Sequence, residues 1–366
     1  MKLKKIQSVL RCMRDPSSSL VQVRCSLQNY GDIMLNESIE NLFKDFSIMT
    51  LSDGKNVRRF DAMLGLSRIF KYSFLGGGTL IFTSHGSGWL PAVEFFKSKT
   101  IPLFTFGTGV FDPEFTKHLN KIKYYNNPVD IENIIENWIK CLREFKFISL
   151  RGIQSKNILE KFGLENCDVI GDPALFFARD ELLLKDSNQR IGINVSNYSH
   201  FWNNSQDTTV TELTALIKNL YKNGWKITFF PTMHEDLILS EAIIKSNDLY
   251  NAIIFRDYLN VNKMLSEIEK QDLFVGVKLH TVVSAFCVYT PAIMIGYQPK
   301  CFDFMKTMDA EDYHFRSDMI QAKDLYNKIS EMYTDKDCLR KKQFETCKMF
   351  KNKILSYRDS ILQSME

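Results

Sequence analysis

The sequence predicts an α/β fold built from two similar halves. Short β-rich runs alternate with amphipathic helical patterns along most of the 366-residue chain. The alternation stops at a polar stretch, 179–190, and then resumes. Because strands that alternate with helices form parallel sheets covered by helices, each half is predicted to be a Rossmann-like domain. The predicted domains, 1–178 and 190–366, are joined by the polar stretch and face a cleft.

Hydrophobic patterning predicts the individual elements. Runs rich in β-branched and aromatic residues predict strands at 20–25, 73–78, 79–83, 101–107, 146–152, 190–196, 225–232, 251–256, 272–280 and 291–297. Apolar residues at helical spacing predict helices within 35–46, 131–142, 208–223, 235–246, 260–269 and 281–289. The last segment, 318–365, is predicted to form helices that pack back on the first domain. Ligands of such sheets bind beyond the carboxyl ends of the strands.

Composition and charge narrow the function classes. The net charge of +4 is too weak to indicate nucleic-acid binding. Eight cysteines without zinc-ligand spacing indicate a reducing compartment and no metal site. No signal peptide or membrane-spanning run is visible, which predicts a cytoplasmic protein. Residues 1–14 are predicted to form a surface helix, which either packs on the protein or contacts an anionic membrane.

Charged and polar residues follow several predicted strands. Asn29 and Asp32 lie in a loop before a helix, where Asp32 either caps the helix or contacts a ligand. Arg151 ends a strand, and its guanidinium suits a carboxylate or phosphate, or else a surface salt bridge. Asp172 precedes a proline and either contacts a ligand or orders the turn. These side chains are candidates for the cleft.

Glycine-rich segments supply further candidates for ligand contact. Gly76, Gly77 and Gly78 follow a predicted strand, and they either bring backbone amides close to an anion or form an ordinary loop. They match neither the dinucleotide pattern nor the P-loop pattern. Gly107 ends the next strand, and 85–88 forms a second polar loop. Each of these segments is typical of a loop that faces a ligand, with a simple turn as the alternative.

The sharpest candidate site is Lys278-Leu279-His280, where an apolar run ends and a helix begins. If the strand continues through His280, its side chain and that of Lys278 point to the same side. A cation and an imidazole at that place would bind an anion and supply a titratable acid. The alternative is that His280 only caps the following helix.

Together these motifs resemble the polysaccharide pyruvyltransferase family. The resemblance covers about Val21 to Phe304 and depends on the order and spacing of the motifs. They are N-x-G-D from Asn29, G-G-G-T from Gly76, Arg151 followed by Ser155, D-P-A-L from Asp172, Lys278-Leu279-His280, and P-x-I-x-I-x-Y-x-x-K ending at Lys300. The chain departs from the family pattern in having Lys278 where Arg is usual, and Gly152 where Asp is usual.

The resemblance implies a glycosyltransferase-B-like fold and a transferase that moves a pyruvyl group from phosphoenolpyruvate onto a sugar. The product would be a ketal on a polysaccharide or its precursor, and the acceptor a glycan or a lipid-linked sugar at the inner face of the membrane. Phosphoenolpyruvate would be a co-substrate, without a cofactor or a metal.

The chemistry of this transfer gives each candidate residue a role. Arg151, Lys278 and the glycine run Gly76–Gly78 would bind the anionic donor. His280 would protonate the enol carbon, since imidazole titrates near neutral pH. Asp32, or else Asp172, would accept a proton from the sugar hydroxyl.

Two other functions remain open from the sequence. A glycosyltransferase that uses a nucleotide sugar would have the same two-domain scaffold, with the basic pair placed on the diphosphate. A glycan-binding protein without catalysis would fit the replacement of the usual Arg by Lys278. Phosphate release from phosphoenolpyruvate separates the first function from both alternatives.

Overall fold

The computed structural model of the protein describes residue 12 and residues 19–23, 29–51, 70–83, 89–183, 188–196, 199–202 and 206–364. These residues divide into two compact units. The first unit draws on Met1–Leu27, Leu35–Pro173 and Lys353–Glu366, and the second on Gln28–Met34 and Ala174–Asn352. The domain boundaries at residues 178 and 190 stay a prediction. The helix predicted at 1–14 lies, apart from Cys12, outside the described residues.

The first unit is built on parallel strands. They are β1 (Ser19–Val23), β2 (Ser47–Leu51), β3 (Tyr72–Leu75), β4 (Gly78–Ile81), β5 (Leu103–Thr105), β6 (Thr108–Val110), β7 (Ser149–Leu150) and β8 (Asp168–Val169). In its described part they pair as two sheets, with the orders β2-β1-β3-β5 and β4-β6-β7-β8. Its helices are α1 (Tyr30–Leu42), which begins in the second unit, α2 (Trp89–Ser98), α3 (Pro113–Lys121), α4 (Ile131–Leu142) and α5 (Ile153–Lys161).

The second unit contains one parallel six-stranded sheet among its described residues. Its strands are β9 (Arg190–Asn194), β10 (Lys226–Phe229), β11 (Ile253–Ile254), β12 (Leu273–Gly276), β13 (Ala292–Gly296) and β14 (His314–Arg316). Its helices are α6 (Gln206–Lys222), α7 (His234–Ser246), α8 (Val261–Glu269), α9 (Leu279–Cys287), α10 (Pro299–Thr307), α11 (Ala322–Thr334) and α12 (Lys336–Gln363). Strands β12 and β13 are buried along their whole length, as is typical of a sheet with helices on both faces.

The strand order of the second sheet creates a switch point. The order is β11-β10-β9-β12-β13-β14, so the chain builds outward from β9 in one direction and then returns to build in the other. The segment after β9 therefore leads toward β10 on one side of the sheet, and the segment after β12 leads toward β13 on the other. In sheets of this kind a crevice opens between two such segments, at the carboxyl ends of the strands. This edge is the default ligand site of a doubly wound sheet.

Most predicted elements are confirmed, with one local correction. The strand predicted at 272–280 ends at Gly276, and Lys278 is already the N-cap of α9. The expectation that Lys278 and His280 point to one side of a strand is therefore wrong. The physical reason is that the carbonyl of Lys278 accepts the first helical hydrogen bonds, from the Thr281 amide at 3.0 Å and the Thr281 hydroxyl at 2.7 Å.

The C-terminal helix α12 is divided between the units, with Lys353 and the residues after it in the first. Within the first unit, the Tyr357 ring lies 5.9 Å from Phe106 and the Tyr357 hydroxyl donates to the Thr105 carbonyl. In the second unit, Arg340 is 1% exposed, and one of its nitrogens lies 3.7 Å from the Asp272 carboxylate. Asp272 also accepts hydrogen bonds from the backbone amides of Asn188 and Arg190, each at 3.0 Å.

Replacing Arg340 by Leu tests this buried ion pair. We expect Arg340→Leu to lower the free energy of unfolding by about 3 to 5 kcal/mol, because it leaves the Asp272 carboxylate buried without its counter-ion. The double variant Arg340→Leu/Asp272→Asn should recover part of the loss, since no charge then stays buried. Lys341→Leu, at an exposed position of the same helix, is the control. Urea unfolding measures all three, and equal losses in the control and Arg340→Leu would contradict the pairing.

Candidate functional site

Lys278 and His280 lie at the switch point of the second unit. Lys278 follows β12 and occupies the N-cap of α9, and His280 lies in the first turn of that helix. Both side chains are half-buried. The positive end of the α9 dipole adds to the Lys278 charge, so this turn favours an anion.

Asn194 holds the strand ends around this turn in place. Its side chain is fully buried at the end of β9. The amide nitrogen donates to the Phe230 carbonyl at 2.9 Å, just beyond β10. The amide oxygen accepts from the backbone amide of Lys278 at 2.8 Å, just beyond β12. One side chain therefore joins the carboxyl ends of three strands and fixes where α9 begins.

Asp236 orders the neighbouring loops in a similar way. This carboxylate is 2% exposed and lies in the first turn of α7. It accepts from the Ser196 hydroxyl at 2.7 Å, and from the Thr232 amide and hydroxyl at 3.1 and 2.6 Å. Those partners follow β9 and β10, so the carboxylate fixes both loops at the site edge. Because the Ser196 hydroxyl and the Thr232 amide and hydroxyl all donate to it, both buried oxygens of the Asp236 carboxylate are satisfied.

The beginning of α1 belongs to the same unit. Asn29 precedes the helix, and its side-chain oxygen accepts from the Asp32 backbone amide at 3.1 Å. The Asn29 amide nitrogen donates to the Asp32 carboxylate at 3.0 Å. This reciprocal arrangement makes Asn29 the cap and leaves Asp32 in the first turn of α1. Asp32 therefore does not cap the helix.

The first turn of α1 packs directly against the His280 ring. A Cβ atom built on Gly31 would lie 2.4 Å from His280 Nδ1 and 2.9 Å from Cγ. No side chain fits there unless the ring moves, so Gly31 is required for this approach. The N-x-G-D motif thus provides a cap, a space for the imidazole and a carboxylate in one turn.

Tyr30 links the start of α1 to α9 by a hydrogen bond. Its backbone amide donates to the Thr232 carbonyl at 3.1 Å, and its hydroxyl lies 2.7 Å from the Ser284 hydroxyl on α9. Ser284 also donates to the His280 carbonyl at 2.7 Å. The position of the imidazole is therefore set from both α1 and α9.

The ammonium of Lys278 lies in an unfavourable environment. Burial lowers its pKa from 10.5 to about 8. The charge of Lys300 lowers the pKa further, whereas the carboxylates of Asp236, Glu235 and Asp32 raise it. The Lys278 ammonium also lies 3.4 Å from the Met233 sulfur. An anion bound here would stabilise the charged form and raise the pKa again, and a lowered lysine pKa of this kind is typical of functional sites.

The remaining predicted residues lie in the first unit. Arg151 is 2% exposed, donates to the Thr79 hydroxyl at 2.9 Å and lies 3.9 Å from the Asp172 carboxylate, which is fully buried. These contacts tie β4, β7 and the segment after β8 together. The roles of Arg151 in donor binding and of Asp172 as a base stay predictions.

The glycine run follows β3, as predicted, and leads directly into β4. Gly76 and Gly77 separate β3 from β4, and Gly78 is the first residue of β4. A Cβ on Gly76 would lie 2.2 Å from the Gln22 amide nitrogen, and one on Gly77 would lie 2.7 Å from Leu35. Gly107 likewise lies in the short segment between the end of β5 and the start of β6. Close packing alone thus explains the first two glycines, and donor binding by the run stays a prediction. The polar loop 85–88 lies outside the described residues.

The structure therefore separates the candidates into two groups. Asn29, Asp32, Lys278 and His280 lie together in the second unit, and the glycines, Arg151 and Asp172 lie in the first. Asn194 and Asp236 were missed by the sequence prediction. Asn194 offered one signal, a polar residue at the end of an otherwise apolar strand. Within the described part of the chain, no helix is long and apolar enough to cross a membrane.

Comparison with known families decides the assignment. The model of the polysaccharide pyruvyl transferase family matches residues 29–299, which contain both the turn at Gly31 and that at His280. The chain belongs to this family. It is accordingly assigned as a transferase of polysaccharide biosynthesis. Among curated proteins, no sequence matches the chain.

Solved structures show the same fold at low sequence identity. UDP-GlcNAc 2-epimerase from Neisseria meningitidis, bound to UDP-GlcNAc, is 9% identical with a TM-score of 0.58, covering 94% of this chain and 100% of that one. A glycosyltransferase from Rickettsia africae is 13% identical with a TM-score of 0.55, covering 95% and 98%. These likenesses establish a glycosyltransferase-B-like α/β fold for this member of the family, and they carry no information on its substrate.

Gly31→Ala tests the packing of α1 on the imidazole. We expect a loss of about 1 to 3 kcal/mol in the free energy of unfolding, because the new methyl group overlaps the His280 ring. The double variant Gly31→Ala/His280→Ala should be more stable than Gly31→Ala alone, since the clash is removed. Asn41→Ala, at an exposed position of α1, is the control. Additive losses in the double variant would disprove the contact.

Lys278→Met tests the cost of the buried ammonium. With a pKa near 8 in the folded chain and 10.5 in the unfolded chain, Lys278 destabilises the fold fully below pH 8. The penalty fades as the pH rises from 8 to 10.5, because the unfolded chain alone still binds the proton. We expect Lys278→Met to be more stable at pH 7 by about 1 to 3 kcal/mol, with a smaller gain at pH 10. Lys226→Met, at an exposed site, is the control, and its effect on the free energy of unfolding should not depend on pH. A gain in Lys278→Met that is equally independent of pH would contradict the prediction.

Proposed function

We propose that the protein transfers the pyruvyl group of phosphoenolpyruvate to a sugar and forms a cyclic ketal. The observation that carries the proposal is the placement of Lys278 and His280 in one helix turn at the switch point, with Asp32 in the adjacent turn of α1. This places a cation, an imidazole and a carboxylate in the same unit. Membership of the family supports the reaction class, and the charge of the site supports an anionic donor.

The proposed reaction needs one acid and one base. His280, in its protonated form, gives its proton to the methylene carbon of the enol, and positive charge develops at the central carbon. One sugar hydroxyl adds to that carbon, and a second hydroxyl displaces phosphate to close the ketal. The two hydroxyl protons leave as the sugar oxygens bond, one to the imidazole, which restores His280, and one to Asp32. Asp32 passes its proton to the departing phosphate, which leaves as hydrogen phosphate and restores the carboxylate.

The proposal requires neither a cofactor nor a metal. The leaving phosphate needs positive charge rather than a redox group, and Lys278 supplies it. The acceptor is a glycan or a lipid-linked sugar, and the reaction takes place in the cytoplasm, at the inner face of the membrane when the acceptor is lipid-linked. Arg151 and the glycine run Gly76–Gly78 remain proposed donor contacts.

Variants at the two site residues separate chemistry from binding. We expect His280→Ala to reduce phosphate release from phosphoenolpyruvate by roughly a hundredfold to ten-thousandfold, with a small change in donor affinity, because acid catalysis is lost. Lys278→Ala should instead weaken donor binding, and Lys278→Arg should preserve or tighten it. His118→Ala, in the first unit, is the control.

The decisive measurement is phosphate release with a panel of sugar acceptors, together with the melting temperature of each variant. A correctly folded His280→Ala protein that releases phosphate at the wild-type rate would end the proposed mechanism. Binding and turnover of a nucleotide sugar, without turnover of phosphoenolpyruvate, would assign the glycosyltransferase alternative. Glycan binding with turnover of neither donor would assign a binding protein.

A further inference from the structure

Aromatic and charged side chains gather at the carboxyl ends of β13 and β14, beside the turn that carries Lys278. The strand order β9-β12-β13-β14 places β13 and β14 on one side of β12 and β9 on the other. Because neighbouring strands lie about 5 Å apart, the end of β14 is about 10 Å from the end of β12. A substrate bound next to an anion at Lys278 would therefore reach these side chains.

Trp202 reaches this edge from the other side of β12. It ends the short 3₁₀ helix Ser199–Trp202, in the segment after β9. Its indole nitrogen donates to the carbonyl of Gly296, the last residue of β13, at 3.2 Å. The preceding Phe201 is 7% exposed, and its ring packs 6.0 Å from that of Tyr297, directly after β13. A hydrogen bond and a buried ring contact thus hold the half-buried indole in place.

A guanidinium group lies over this indole. The central carbon of the Arg316 guanidinium is 4.4 Å from the centre of the Trp202 ring. Arg316 ends β14, and its Nε and Nη2 donate to the Asp318 carboxylate at 3.1 and 2.7 Å. Since those two nitrogens bind Asp318, the Nη1 hydrogens point away from it. The Arg316 side chain is 45% exposed, and exposed ion pairs add little to stability, so recognition explains this arrangement better than folding does.

These groups match the chemistry of a neutral sugar. One face of a pyranose ring carries C–H groups that pack on an aromatic ring, and its edge carries hydroxyls. Sites for small polar molecules combine aromatic walls with a few placed polar groups. A sugar hydroxyl can accept from the Arg316 guanidinium and donate to the Asp318 carboxylate. Because the two charges balance, the pair gives no net attraction to an acidic sugar.

We propose that Trp202, Arg316 and Asp318 form a subsite for a neutral hexose of the acceptor. The inference rests on the proposed function, in which a sugar hydroxyl adds to the central carbon of the enol. The donor would lie at Lys278 and the hexose beside it, over the ends of β13 and β14. The proposed chemistry uses none of the three subsite residues, so their replacement should act on acceptor binding and leave donor binding unchanged.

Methyl glycosides of glucose, galactose and mannose are the probes, with methyl glucuronide as the acidic comparison. We expect Trp202→Ala to weaken binding of the neutral glycosides by roughly fivefold to thirtyfold, the usual effect of removing an aromatic anchor. Trp202→Phe should retain most of the binding, because an aromatic face remains. Arg316→Ala should weaken it by roughly threefold to tenfold, since hydrogen bonds are lost. All three variants should bind phosphoenolpyruvate as the wild type does.

Two exposed positions of the same unit provide matched controls. Tyr250→Ala removes an aromatic ring that is 81% exposed. Arg256→Ala removes the arginine of another exposed ion pair, with Glu241 at 2.7 Å. Both variants should bind the glycosides with the affinity of the wild type, and melting temperatures show whether each variant is folded.

Nuclear magnetic resonance of the 366-residue chain gives a readout that a purely structural role would not change. Titration of the wild type with a neutral glycoside should shift the indole N–H signal of Trp202. That signal is identified by its loss in Trp202→Phe, which keeps the ring packing. The measurement therefore holds even if Trp202→Ala does not fold.

The outcomes separate the subsite from the proposed transfer. An unshifted Trp202 signal, equal losses in Trp202→Ala and Tyr250→Ala, or tighter binding of the glucuronide than of the neutral glycosides would each overturn the subsite. If glycoside binding depends on Trp202 while phosphoenolpyruvate is not turned over, the subsite stands and the transfer fails. If phosphoenolpyruvate is turned over and the acceptor KM of Trp202→Ala is that of the wild type, the transfer stands and the subsite fails.

Discussion

The carboxyl edge of the second sheet depends on the buried amide of Asn194. Its two hydrogen bonds, to the Phe230 carbonyl and from the Lys278 amide, satisfy backbone groups that the sheet ladder no longer pairs. Without them, two buried polar groups would be left where the strands separate, at a cost of about 1 to 3 kcal/mol each. The bond from the Lys278 amide also fixes the N-cap of α9, and with it the place where that helix begins.

Some residues around this edge of the sheet stabilise the fold, and others lower its stability. The hydrogen bonds of Asp236 and the clamp between Tyr30 and Ser284 stabilise the loops, whereas the buried ammonium of Lys278 destabilises the fold at neutral pH. Gly31 adds a further cost, since glycine lowers helix stability by roughly 0.5 to 1 kcal/mol relative to alanine. Residues that lower stability, such as Lys278 and Gly31, are typical of binding sites when rigid neighbouring structure holds them in place.

The pattern of apolar and polar residues along the chain predicted the strands and helices, which depend mainly on neighbouring residues. The apolar runs of β12 and β13 are buried along their whole length, so they were recognisable as strands. The polar residues that follow β12 mark the turn before α9, which stays the candidate site. The role of the glycine run was not predictable, because its packing partner Leu35 lies about forty residues away in the chain. Asp236 was missed for the same reason, since its partner Ser196 is 40 residues distant. Contacts of this range leave no periodic signal.

The helical start of α9 also determines how a substrate would lie. Lys278, the N-cap, has an extended backbone (φ −78°, ψ 125°), whereas Leu279 and His280 are already helical, so Lys278 and His280 do not follow the two-residue repeat of a strand. Lys278 accordingly reaches Met233 before α7, whereas His280 reaches Gly31 in α1. A cation and an acid on one strand face would crowd the same atom. Separated in this way, they suit a molecule with an anionic group at one end and a proton-accepting carbon at the other, which is the shape of an enol phosphate.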